Sequence, residues 1–169
     1  MKTILTTRRL LLREMTLGDL DFMAAMLGDP EVMRYYPKPC TRDEAEAWIR
    51  RQFERYRLDG FGRWLAAARN TGEPVGQVGL ATQMVAGVEE REIGYIIHRA
   101  FWRQGFATEA ALAVREYALC ELRSRRVIAL VRPENAPSQG VARQLGMTPA
   151  PELVMHADLE HLLFSVAAP

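Results

Sequence analysis

Lysine is almost missing from this chain. Lys2 and Lys38 are the only two, and arginine makes up the rest of 22 basic residues set against 21 acidic ones. The formal charge of +1 leaves no cationic surplus of the kind that draws nucleic acid or an anionic membrane. Cysteine is equally scarce: Cys40 falls in a proline-flanked loop and Cys120 in a predicted helix. Their spacing fits neither a metal site nor a disulfide framework. No apolar run is long enough to span a membrane, and the N-terminus, Met1 to Arg9, lacks the apolar stretch of a signal peptide. Repeats, low-complexity stretches and linkers are also missing. These absences imply a soluble protein in cytoplasmic, reducing surroundings, with no metal.

What remains is ordinary globular composition, 49% apolar and 25% charged over 169 residues. Residues 1–169 read as a single domain, able to bury about two-thirds of its unfolded surface without staples. Leu10 to Met15 reads as a first strand. Thr16 with Asp19 forms a helix-start pair, and the apolar segment after it stops near Asp29-Pro30. Thr41 and Glu44 make a capping box ahead of Ala45, Trp48, Ile49, Phe53 and Tyr56, a stripe with helical spacing that Gly60 ends. This stripe is read as core rather than as a binding surface. Strands are expected at Arg63–Arg69, Val75–Leu80 and Glu92–His98, with a loop over Met84–Glu90. A helix over about Thr108–Leu122 leads to the branched run Val127–Val131. Asn135-Ala-Pro-Ser138 opens a short helix that Gly146 closes, and Glu152–Val166 supplies two last strands. The whole is α+β: a mixed, mostly antiparallel sheet of about six or seven strands with about four helices. One right-handed parallel β-α-β unit is expected between Glu92 and Val131.

The stretch from Glu92 to Ala110 is the most informative. An apolar strand passes through a turn with arginine and glycine, Trp102-Arg-Gln-Gly-Phe-Ala107, straight into an alanine-rich helix. A helix start offers unpaired N–H groups and the positive end of the helix dipole, so a phosphate-bearing ligand fits there. Gly105 permits close approach, and the amides from Arg103 through Gln104, Gly105, Phe106, Ala107 and Thr108 can point at phosphate oxygens. Arg99 or Arg103 can add a charge-assisted contact. The turn is neither a Walker loop nor a dinucleotide fingerprint, since neither glycine pattern occurs.

Tyr95 to Ala110 resembles the acyl-coenzyme A pyrophosphate loop of the GNAT (N-acetyltransferase) superfamily. Gly105 and Ala107 match its fourth and sixth motif positions, while Trp102 and Arg103 depart from the first and second. The flanking Phe-Trp and Ala-Thr-Glu-Ala are similar to the branch that contains ribosomal-protein N-terminal acetyltransferases. Nearly the whole chain is covered. The resemblance implies acetyl-CoA as cosubstrate and a primary amine as acceptor, either a protein N-terminus or a small amine. It also implies a monomer or homodimer with neither nucleic acid nor membrane as partner.

On that resemblance, a main-chain amide of Ile96 or Ile97 holds the thioester carbonyl and Glu92 is the first candidate base. His98 is the second. Asn135 matches the residue that contacts the pantetheine arm. The tyrosine that usually follows seven residues on, to protonate the thiolate, is Ala142 here. Ser138 stands where the ribosomal-protein branch has a serine near the sulfur. Tyr35 and Tyr36 fall where the family builds its acceptor wall. Strand alternation turns Tyr95 away from Glu92 and into the core. With the tyrosine acid missing, a non-catalytic acyl-CoA sensor stays open as the rival to an enzyme.

Overall fold

The computed structural model describes residues 2–168. One eight-stranded sheet organises them, in the order β1-β2-β3-β4-β5-β6-β8-β7. Strands β1 (Thr3–Thr6), β2 (Leu10–Arg13), β3 (Arg63–Ala68), β4 (Pro74–Val85) and β5 (Val88–Ile97) pair antiparallel in succession. Helix α3 (Phe106–Glu116) then crosses over to β6 (Arg126–Val131), the parallel neighbour of β5. Beyond α4 (Ala136–Gln144), β7 (Thr148–His156) and β8 (Leu159–Ala167) form a hairpin, and β8 pairs antiparallel with β6. The α+β class and the parallel unit are as expected from the sequence; the strand count is higher.

One added strand accounts for that count, and one expected loop is also strand. The short β1 has a polar Thr at each end, so no apolar run announces it. The expected loop over Met84–Glu90 is instead the tip of a long β4–β5 hairpin, in unbroken register from Gly76↔Ile97 to Val85↔Val88. Its turn is Ala86-Gly87, at φ 49° and 79°. Two successive positive φ values suit a tight hairpin turn, whose usual sequence mark is Asn-Gly or Asp-Gly rather than Ala-Gly.

Two apolar layers clasp the sheet. On one face α3 and α4 cover Val78, Leu80, Ile93, Ile97, Val127, Ala129 and Phe164. On the other, α1 (Leu20–Gly28) and α2 (Arg42–Leu58) cover Leu65 and Ile96 through Met23, Met26, Ala45 and Ile49. Thr41 and Glu44 exchange both capping-box bonds at the start of α2. Tyr56 donates to the carbonyl of Arg63 and accepts from the amide of Met15, which fixes α2 on the sheet. None of the helices described is long and apolar enough to cross a membrane.

Candidate active site

The sheet has one weak seam. Among the described residues, β5 and β6 share a single register pair, Glu92 opposite Ile128. Past it β5 runs to Ile97 and β6 to Val131 without pairing, so the strands part as they approach the turn before α3. A split between parallel strands at their C-terminal ends is where open α/β sheets take ligands.

The ladder tells which amides face the split. His98 donates to Val75 on β4 at 2.9 Å, and with Ile97↔Gly76 in register the alternation commits Ile96 to β4 as well. The amides of Tyr95 and Ile97 therefore face the side from which β6 has departed. The Ile97 carbonyl accepts from Trp102 Nε1 at 2.7 Å, which ties the following turn to the strand end.

That turn is a cradle of backbone amides. Arg103 and Gly105 have φ of 59° and 78°, the second as N-cap of α3. Left-handed residues at a helix start aim successive N–H groups into a common concavity. A methyl at Gly105 would find only Arg9 nearby, so the glycine serves the backbone conformation rather than a crowded contact. The cradle is braced from behind. Glu109, in the first turn of α3, accepts from Thr7 Oγ1 (2.6 Å), the Arg9 amide (2.8 Å) and Arg9 Nε (2.6 Å). Arg9 also donates to the Gln104 carbonyl at 2.9 Å and lies over the Phe106 ring. Thr108 Oγ1 donates to Gln144 on α4. Arg103 is exposed, whereas Arg99 pairs with Asp29 at 3.2 Å. His98 caps the short turn after β5 by accepting from Ala100 and stacks near Phe22, a role in the turn.

On the α1–α2 face of the split stands Glu92, paired with Arg63 at 2.7 Å; each side chain is 12% exposed. Gln83 donates to the same carboxylate oxygen, Oε2, at 2.9 Å, which leaves Oε1 outside both contacts. Arg63 can lie there because residue 94 is glycine: a methyl at that position would occupy the guanidinium's space. Tyr36 completes this side. It is 41% exposed, yet burial pushes its phenol up to about 12, with Arg63 and Glu92 as charged neighbours. Tyr35 lies instead against Arg34.

On the opposite face, Tyr95 packs against the α3–α4 core as alternation requires, but its hydroxyl has a second engagement. It donates to the Ser138 carbonyl at 2.9 Å and accepts from Ser138 Oγ at 3.1 Å. Burial pushes this phenol up to about 12. Asn135 is the N-cap of α4, accepting from the Ser138 amide at 3.1 Å. The structure thus brings Glu92, Ile97, Asn135 and Ser138 around one split, with residues 103–108 at its mouth. Arg63, Gln83 and Tyr95 were not singled out as site residues by sequence. A charge pair 29 residues apart leaves no local signal, and Tyr95 read correctly as a packed ring.

A sheet parted beside an amide-lined helix start, with a carboxylate on one face of the opening and hydroxyls on the other, defines a coenzyme A-dependent acyltransferase. The chain belongs to the acetyltransferase (GNAT) domain family, whose model matches residues 9–148. It is 30% identical over 144 residues to the uncharacterized N-acetyltransferase YnaD of Bacillus subtilis (strain 168), covering 85% of this chain and 81% of that one. Among solved structures, an acetyltransferase from Agrobacterium tumefaciens str. C58 superposes with TM-score 0.85 at 26% identity, covering 98% of this chain and 94% of the other. RimL, a ribosomal L7/L12 alpha-N-protein acetyltransferase in complex with coenzyme A, shares the fold with TM-score 0.76 at 16% identity, covering 99% and 98%.

Proposed function

We propose that this acetyltransferase moves an acetyl group from acetyl-CoA directly to a primary amine, with a protein N-terminal amino group as the favoured acceptor. The observation that carries the reading is the split itself: outward amides of β5, the cradle at residues 103–108 and the Glu92 carboxylate all converge on it. The cradle suits a diphosphate, and Asn135, the N-cap of α4, is the residue assigned to the arm that runs inward. Acetyl-CoA supplies an activated acyl carbon. The remaining steps fall to the chain's own groups.

An α-ammonium has a pKa of about 8, a side-chain ammonium about 10, so the acceptor must lose a proton before it attacks. Glu92 Oε1 takes that proton, directly or through water, while Arg63 and Gln83 hold Oε2 and fix the carboxylate's direction. The Ile97 amide, with that of Tyr95, donates to the carbonyl oxygen as negative charge gathers on it. Of the two strand residues the sequence suggests, Ile97 is the donor and Ile96 packs under α1 and α2. Tyr36 lines the path of the acceptor, and the resemblance to the ribosomal-protein branch favours a protein N-terminus over a small amine there. Neither Cys40 nor Cys120 falls in the stretch from Glu92 to Ala110, which favours direct transfer over an acetyl-cysteine intermediate.

The deciding experiment measures acetyl-CoA-dependent thiol release against a panel of peptides with free N-termini and of small amines. Transfer to peptides with free but not blocked N-termini is the expected result. Coenzyme binding with no transfer to any acceptor would make the chain a sensor instead.

A further inference from the structure

We propose that Tyr95 acts through the Ser138 hydroxyl as a positioning residue, backing the hydrogen bond that receives the departing thiolate. This rests on the acyl-transfer reading above and assigns the half of the reaction that the alanine at position 142 leaves without a donor.

The two faces of β5 carry the argument. Side chains of a strand alternate, so Glu92 lies toward α1 and α2 while Tyr95 lies toward α3 and α4. The amine gives up its proton on the Glu92 side and therefore attacks from that side. The coenzyme runs from the start of α3 past the start of α4, so its sulfur reaches the opening on the α3–α4 side. When the tetrahedral intermediate collapses, the carbon–sulfur bond breaks there with its electron pair going to sulfur. The groups on that side of the opening are the Tyr95 and Ser138 hydroxyls, which touch each other across the gap between β5 and α4.

The pair is built for donation. At rest the Tyr95 proton is held by a backbone carbonyl and the Ser138 proton by Tyr95, both neutral acceptors that a charged thiolate outcompetes. Both hydroxyls turn about their C–O bonds. When Tyr95 swings its proton onto Ser138 Oγ, the serine hydrogen is released toward the opening, and the thiolate meets a donor backed by a second donor. A phenol pushed up to about 12 stays protonated throughout neutral pH, so the donor is always charged with its hydrogen. A thiol ionises near 8.5, so the phenol shares its hydrogen rather than losing it, and water completes protonation of the sulfur. The ring is locked by its packing against the α3–α4 core, so only the two hydroxyl hydrogens have to turn.

The test compares Tyr95→Phe, Ser138→Ala and the double variant with the parent protein. Three quantities are read: kcat and KM for acetyl-CoA, and the ionisation of the bound coenzyme A thiol, followed by ultraviolet absorbance of the thiolate. Tyr95→Phe should lower kcat about tenfold to a hundredfold with KM within about threefold. It should also raise the bound thiol's pKa by about one unit. The double variant should lose little more than the worse single one, because the two hydroxyls act as a unit. An unchanged thiol titration overturns the proposal, whatever happens to kcat, since a tyrosine that merely pins α4 would not move it. If Tyr95→Phe fails to fold, Ser138→Ala read by the same titration decides. A parent protein that binds no coenzyme A, or transfers to no amine, would instead overturn the acyl-transfer reading.

Discussion

Glu92 is a carboxylate with divided duties. One oxygen is held by Arg63 and Gln83, and the other takes the amine's proton in the mechanism proposed above. An amide at this position keeps the shape and removes the base. Glu92→Gln is therefore expected to lower kcat by about a hundredfold or more while leaving the coenzyme A dissociation constant within about threefold. Steady-state rates and titration calorimetry read the two quantities separately, and an undiminished rate would remove Glu92 from the chemistry. Gly94 is the hidden partner of this arrangement. Gly94→Ala puts a methyl where the Arg63 guanidinium lies, and Arg63 can swing aside because its far end is flexible. The fold should survive, with Tm within a few degrees, while Glu92 loses its principal anchor and turnover drops about tenfold. If Gly94→Ala were as active as the parent, the Arg63 contact would be irrelevant to catalysis.

At the scale of elements, the proposed coenzyme cradle depends on strands distant in sequence. The turn at residues 102–105 makes its own left-handed bends, but Glu109 fastens the start of α3 to Thr7 and Arg9, about a hundred positions earlier. Three donors on one carboxylate form a charge-assisted cluster, discounted because Arg9 is about a third exposed. Glu109→Ala should cost about 1–2 kcal/mol of stability. It should also weaken coenzyme A binding about tenfold, since the cradle's amides lose their backing. Thermal melting and calorimetry on the same variant check both. A variant with lowered Tm but parental coenzyme affinity would make Glu109 a fold residue only. Sequence could not show this brace. The capping boxes at Thr16/Asp19 and Thr41/Glu44 were legible because both partners lie within one turn of helix. The Thr7–Arg9–Glu109 cluster was not, because its partners meet only after the sheet has formed.

For the whole molecule, the same boundary separates what sequence could and could not reveal. The cradle, the start of α4 at Asn135 and the strand bearing Glu92 were legible, because each is a local pattern of turn, cap or alternation. The full length of the β4–β5 hairpin escaped because Ala86-Gly87 takes a turn usually marked by asparagine or aspartate. The seam between β5 and β6, on which the site depends, is a product of register alone. Long-range ion pairs also set how the molecule meets acid. Arg13 holds Asp19 with two bonds, 2.8 and 2.6 Å, between β2 and the approach to α1. Burial pushes Asp19 up, but the hydrogen bonds from Arg13 and Thr16 outweigh it and hold the carboxyl below its usual range. Glu109 is likewise pushed up by burial and drawn further down by Thr7 and Arg9. A carboxyl depressed by folding contributes stability that is complete above its unfolded pKa, about 4. That stability drains away as pH falls through the lower folded value. Stability should therefore be flat with respect to these two groups near neutrality and fall steeply below about pH 4. Asp19→Asn should lower the neutral plateau, because a half-buried Arg13 is left without its charge partner, and should make the acid limb shallower. Urea melts of both proteins from neutral to acid pH measure this directly. Parallel curves would mean that Asp19 binds its proton equally well in the folded and unfolded chains.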